Sequence, residues 1–227
     1  MTNICTPSYA TKGRFIRPIK TLKQATEIIG GLSVTEKMPC PSYSISAKRC
    51  KVGSQLAKIK GSTCEDCYAL KGNYLRYAKT IEPAHERRYE SLDNPQWVDA
   101  MSFIIHFKKL EYFRWHDSGD IQNMMHLINI VEVAEHCPNT LFWLPTREKA
   151  LVYEYERSIG TIPSNLIVRI SSAMVDGEPV DYKTTSTVHD KGEPVGHECK
   201  SYENKGKCGD CRACWDVSIK NISYKRH

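Results

Sequence analysis

Between residues 111 and 171 the sequence alternates between two hydrophobic periods, and that alternation restricts the fold more than any other feature. The stretches "EYFRWH" (111–116), "TLFWLP" (140–145) and "LIVRIS" (166–171) are short, apolar and rich in aromatic or β-branched residues, so they read as strands. Between the first two lies "IQNMMHLINIVEVAEHC" (121–137), whose apolar residues recur at helical spacing, and a second helix covers roughly 148–158. Strands separated by whole helices run parallel, because the crossover must bring the chain back to the same end of the sheet. The expectation is an α/β fold in one domain spanning 1–227, a full or partial (β/α) TIM-like barrel of parallel strands. Upstream, "LKQATEIIGG" (22–31) reads as a short helix stopped by glycines and "SYSISA" (42–47) as a strand. Two mostly helical segments follow, split at "DNPQW", and "TTSTVH" (184–189) is a weaker strand candidate.

Parallel strands present all their carboxyl ends at one edge, where loops collect ligands. Polar residues mark that edge: "HDSGD" (116–120) ends one strand, "PTRE" (145–148) the next, and Ser171 and Ser172 a third. His116, Asp117 and Asp120 could move protons, hold a cofactor or ligate a hard metal. The competing reading is a turn with Asp120 as the N-cap residue before Ile121. Arg147 could hold a carboxylate or phosphate, or pair with Glu148. Arg169 sits within an apolar strand and needs a polar interior and a partner. His126 reads as a surface or core histidine, Met124 and Met125 as core filler, and Cys137 as a small buried hydrophobe. His85, His106 and His227 have no companions that suggest a site.

Ten cysteines ask for an explanation. No stretch approaches about 18 apolar residues, and "MTNICTPSYATKGRF" has no apolar core of a secretory signal, so a cytoplasmic protein with reduced thiols and no membrane association is expected. Thiols kept reduced serve as metal ligands or catalysts more readily than as disulfides. "GKCGDCRACW" sets Cys208, Cys211 and Cys214 at two equal steps of three, the spacing by which a loop wraps three thiolates around an iron–sulfur cubane. Cys199 is the nearest fourth ligand. This cysteine-rich segment, about 190–220, is expected with the other cysteine loop at the C-terminal edge of the strands. Zinc is the competing metal, although it more often takes two separated CxxC knuckles. A second group comprises Cys50, Cys64 and Cys67, with Cys40 upstream as a further candidate. Three thiolates on a cluster would leave one iron open to substrate. The two groups form separate centres, or one if their loops meet.

With 32 Lys and Arg against 26 Asp and Glu the net charge is +6, a mild excess that leaves nucleic acid open as a partner. No RNA-binding signature or helix-turn-helix pattern strengthens that reading. GxxxxGK[ST] and GxGxxG are both absent, which removes the motif-borne nucleotide sites. What remains is an enzyme or redox protein whose cluster works beside a polar pocket of His116, Asp117, Asp120 and Arg147, meeting a small-molecule substrate or redox partner. A zinc-stabilised binding module for nucleic acid or host protein is the alternative.

Several blocks in order, "KMPCPSYSISAKRCKVGSQL", "GSTCEDCYALKGNY", "FRWHDSGD", "FWLPTRE", "NLIVRISSAM" and "CGDCRACWDVSI", resemble the phage and prophage gene product 88 family. The resemblance implies a viral iron–sulfur protein, most simply with a 4Fe–4S cluster, in the host cell cytoplasm. It also implies an α/β barrel-like fold distantly similar to radical S-adenosylmethionine enzymes. Those enzymes hold their cluster with CxxxCxxC. Here thirteen residues separate Cys50 from Cys64, so the motif gives S-adenosylmethionine no support.

Overall fold

The structure, a computed structural model, describes residues 18–35 and 37–226. Cys5 and His227 lie outside them. In chain order the helices are α1 (Leu22–Ile29), α2 (Val52–Leu56), α3 (Gly72–Arg76), α4 (Ala78–Ser91), α5 (Trp97–Phe107), α6 (Met124–His136) and α7 (Lys149–Ser158). The strands are β1 (Ser42–Tyr43), β2 (Tyr112–Trp115), β3 (Leu141–Thr146), β4 (Leu166–Val175), β5 (Thr185–His189), β6 (His197–Cys199) and β7 (Asn221–Lys225).

All seven strands join one sheet in the order β1-β2-β3-β4-β5-β7-β6, and every pairing is parallel. The α/β class and parallel sheet expected from the alternation are therefore present. The sheet is not closed: β1 forms one edge and β6 the other, so the full barrel is absent among the described residues and the partial one remains compatible with the strand order. Alternation along β2 shows how the layers are sorted. Phe113 and Trp115 are fully buried among the helices, whereas Tyr112 and Arg114 take the opposite face. On the helix side α1, α5, α6 and α7 contribute Ile29, Met101, Ile105, Leu127, Ile130 and Val152 to one apolar core. Burying each such side chain contributes roughly 1.5–3 kcal/mol, which fixes the strand register and hence the loops at the strand ends.

Several boundaries differ from the sequence expectation for local reasons. β1 stops after two residues because the Ser46 hydroxyl accepts from Lys48 N–H and turns the chain into a 3-10 turn, Ala47–Arg49. α6 begins at Met124, where the Asn123 side chain accepts from His126 N–H at 2.8 Å. Asn123, not Asp120, is thus the N-cap. β4 runs on to Val175 because residues 61–63 lie against its end, with Thr63 N–H donating to Ala173 and Val175 N–H to Gly61. Met124 packs on the core, but Met125 is 62% exposed, so only one of the pair fills it. Cys137 and His126 are buried as core residues. β6 and β7 lie beyond the strands anticipated. No helix of the described residues is long and apolar enough to cross a membrane.

Candidate metal centre and polar pocket

The first cysteine group forms where the chain leaves β1. Cys50 closes the 3-10 turn, its N–H donating to Ala47, and α2 starts two residues later. Gly53 faces the thiols: a Cβ there would stand 3.1 Å from Cys50 Cβ and 3.7 Å from the Sγ of both Cys50 and Cys64. Cys64 and Cys67 follow the segment held against β4, where the Thr63 hydroxyl also donates to the Ser172 and Ala173 carbonyls. Cys50, Cys64 and Cys67, with Gly53, Ala57 and Leu70, line a cavity of about 280 Å³.

The ends of β2 and β3 supply a polar wall behind Cys64. Asp120 is buried and accepts at Oδ1 from Ile121 N–H (2.8 Å) and the Thr146 hydroxyl (2.6 Å), and at Oδ2 from Arg147 N–H (2.8 Å). Burial pushes its carboxyl up to about 6, against the pull of those hydrogen bonds. Arg147 then reaches across: its Nε donates to Cys64 Sγ at 2.9 Å and its Nη1 to the Ser172 carbonyl at 3.0 Å. Glu148 accepts from Val52 N–H at 3.0 Å and so ties α2 to the same wall. Gly119 holds a positive φ of 81°, and a Cβ there would collide with Ile45 Cγ1, so the turn placing Asp120 requires glycine.

The cysteines feel one another through space. Burial, then the charges of Asp120, Cys67, Cys64 and Glu148, push the Cys50 thiol up to about 12. Cys67 is raised as well, by burial first. Removing protons from this trio concentrates negative charge in a confined space, a cost that a bound cation would reverse.

The second group lies across the inner face of the sheet. Trp215 donates its indole N–H to the Phe113 carbonyl at 2.8 Å and packs edge-on against Tyr112 and Trp143. Arg169 is wholly buried and finds the partners its position demands: Nε donates to Cys214 O, Nη2 to Ala213 O and Asp216 O, and Nη1 to Ile219 O and Thr185 O. Cys208 N–H donates to the Lys37 carbonyl at 3.0 Å, and its sulfur lies 3.9 Å from Met38 Sδ. Cys214 Sγ lies 3.3 Å from the Tyr224 hydroxyl, and Cys199 Sγ is 3.4 Å from Ser201 Oγ. Burial raises the Cys208 thiol, with Cys199 and Cys211 adding to it; Cys214 rises to about 12, with Cys199 adding after burial. Cys211 is exposed. Among the described residues, no group of three or more His, Cys, Asp or Glu side chains is arranged to hold a metal ion.

The remaining polar candidates divide. Asp117 lines the inner face, accepting from the Ser42 hydroxyl at 3.0 Å and the Tyr74 hydroxyl at 3.4 Å, while Tyr68 donates to its backbone carbonyl. His116 takes the other side. It holds a φ of 53°, packs against His126 with ring centroids 5.3 Å apart, and neither ring nitrogen has a partner. Burial, then His126 and Arg114, holds its pKa well below the ordinary value, so the imidazole is neutral at neutral pH.

Sequence reasoning passed over Arg114, Tyr224 and Gly53. Arg114 stands 4.5 Å over the Trp143 ring, and Tyr68, Asp117, Tyr224 and Cys214 all hold its guanidinium in the charged form against burial. Its signal was available: alternation in "EYFRWH" puts Arg114 on the face opposite Phe113 and Trp115.

The family model described as gene product 88 matches residues 10–217, and the chain belongs to that family. No curated protein and no solved structure matches it.

Proposed function

We propose that this gene product 88 protein is an iron–sulfur protein with a reactive pocket, in which Cys50, Cys64 and Cys67 hold a cluster and leave one metal position facing the cavity. The observation that carries this reading is the meeting of three thiols from two separate loops on one cavity, with Arg147 on Cys64 and the Asp120 carboxyl behind it. The donor set suits the group. Thiolates are soft ligands, and Gly53 leaves the space beside two of the sulfurs unfilled. A polynuclear centre seats each ligand sulfur on a different metal atom, so it asks for wider spacing than the roughly 3.8 Å between thiolates around one zinc ion.

When bound, such a cluster supplies one-electron transfer and an open coordination position. The chain supplies the rest. Arg147 offsets thiolate charge at Cys64 while its N–H fixes the Asp120 carboxyl, and Asp120, with its pKa drawn toward neutrality, can exchange a proton with a ligand in the cavity. Asp117 and Arg114 present opposite charges on the inner face, suited to orienting a polar small molecule. The second group, Cys199, Cys208, Cys211 and Cys214, would hold a further centre, since none of these four lines the cavity that Cys50, Cys64 and Cys67 share.

Anaerobic purification followed by iron and acid-labile sulfide counts tests this reading. A brown protein absorbing near about 400 nm, with iron and sulfide in equal amounts, is expected. A colourless protein carrying zinc would replace the redox reading with a metal-stabilised module.

A further inference from the structure

The open sheet has two edges, and sulfur stands at both. Cys40 lies two residues before edge strand β1, and Cys199 is the last residue of edge strand β6. Between β6 and β7 the chain carries Cys208, Cys211 and Cys214. The sequence alone put Cys40 nearest Cys50, ten residues on, but the fold takes it elsewhere. Cys40 is buried in a small apolar cluster with Trp143 and Trp215, against which Met38 and Cys214 pack. Cys208 Sγ lies 3.9 Å from the Sδ of Met38, two residues before Cys40, so the Cys208 segment and the lead-in to β1 meet side chain to side chain. The backbone contact from Cys208 N–H to Lys37 O brings the two segments together independently of the sulfurs.

We propose that Cys40 is a ligand of the second centre, which therefore takes thiolates from the lead-in to β1, the end of β6 and the segment between β6 and β7. The inference rests on the reading that this chain binds metal and adds what the second centre does: it clasps the two edge strands, which do not pair with each other. Each thiol that binds gives up its proton to solvent and a sulfur lone pair to the metal. Five cysteines then surround the site for the four ligand positions of a cubane, with exposed Cys211 the outermost. The dry side of the site is built already, since Trp143 and Trp215 shield Cys40 and Cys214 from water.

The test uses the full-length protein purified anaerobically, with iron counted in wild type, in Cys40→Ser and in Cys137→Ser, a buried cysteine outside both groups. Wild type without metal would end the reading beneath the proposal. With metal present, Cys40→Ser is expected to lose about half the iron while Cys137→Ser keeps it all. Full iron in Cys40→Ser overturns the proposal. Should Cys40→Ser fail to fold, hydrogen exchange of wild type decides. Removing metal with a chelator must then speed exchange in both 37–43 and 197–216, and a change confined to 197–216 refutes the clasp.

Discussion

Arg169→Met is the most informative single change, because one guanidinium holds most of the segment that carries Cys208, Cys211 and Cys214. Arg169 is 0% exposed and donates five hydrogen bonds to carbonyl oxygens, four of them within residues 213–219, at 2.7 to 3.1 Å. Burial pulls its pKa down against Tyr224, Cys214 and Asp216, so the charge is held at a cost that these bonds help to offset. Methionine fills similar volume but leaves the carbonyls without a donor. Hydrogen bonds to a charged group contribute about 1.5–3 kcal/mol each, but they are not additive and the desolvation cost of the arginine is recovered, so a net loss of roughly 3–5 kcal/mol is expected. For a chain of this length that lowers Tm by about 6–20 °C. Urea unfolding of the chelated wild type and variant measures it without interference from metal. Limited proteolysis should also cut the variant first between residues 205 and 216. A loss under about 1 kcal/mol, with an unchanged cleavage pattern, would mean that water replaces the guanidinium and that Arg169 does not anchor the segment.

Asp120→Asn should retain iron while lowering ligand affinity or turnover, since the proposed role needs a titrating carboxyl; if only stability changes, "HDSGD" is a scaffold turn. The same pair of proteins has a pH signature. The folded carboxyl titrates at about 6 against 3.8 for the free group, so its contribution to stability is fully present below 3.8 and lost as pH rises through 6. The stability of wild type relative to Asp120→Asn is therefore expected to fall by about 3 kcal/mol between pH 3 and 7, measured by urea unfolding. Gly53→Ala should cost the first centre iron by pushing Cys50 aside, yet alter folding stability by no more than about 1 kcal/mol, because alanine suits a helix better than glycine. With Cys40 taking the fourth position in place of exposed Cys211, Cys211→Ser should leave the iron content of the second centre intact, as read by the same metal count.

How much of this was legible before the structure depends on the range of the interactions. The strand–helix alternation from β2 to β4 and the helix α7 could be read because apolar periodicity is a local signal tied to burial. β6 and β7 could not. "HEC" and "NISYK" are short and polar at alternate positions, and they become strands only because β5 offers a free edge for β7 and β7 offers one for β6. Asp120 could be read as a site candidate or as a helix cap, and the cap role fell to Asn123, whose side chain is the one that reaches an N–H of the first turn. His116 shows the opposite limit. A histidine at a strand end looks catalytic in one dimension, but a left-handed backbone at that residue turns the ring toward His126 and the helices.

The same reasoning explains why cysteine spacing alone misplaced Cys40. Distance along a chain measures proximity only inside a loop, and Cys40 is separated from Cys50 by β1, whose two ends face different parts of the molecule. Cys40 packs with Trp143 and Trp215, whereas Cys50 lines the cavity with Cys64 and Cys67, so the two cysteines that flank β1 stand in different surroundings. Asp120 and Arg147 follow strands and meet Cys64, whereas Lys37 and Met38 precede one and meet Cys208. The two cysteine groups therefore stand at separate places on one open sheet, and a single shared cluster would require residues from both sides of β1 to come to one point.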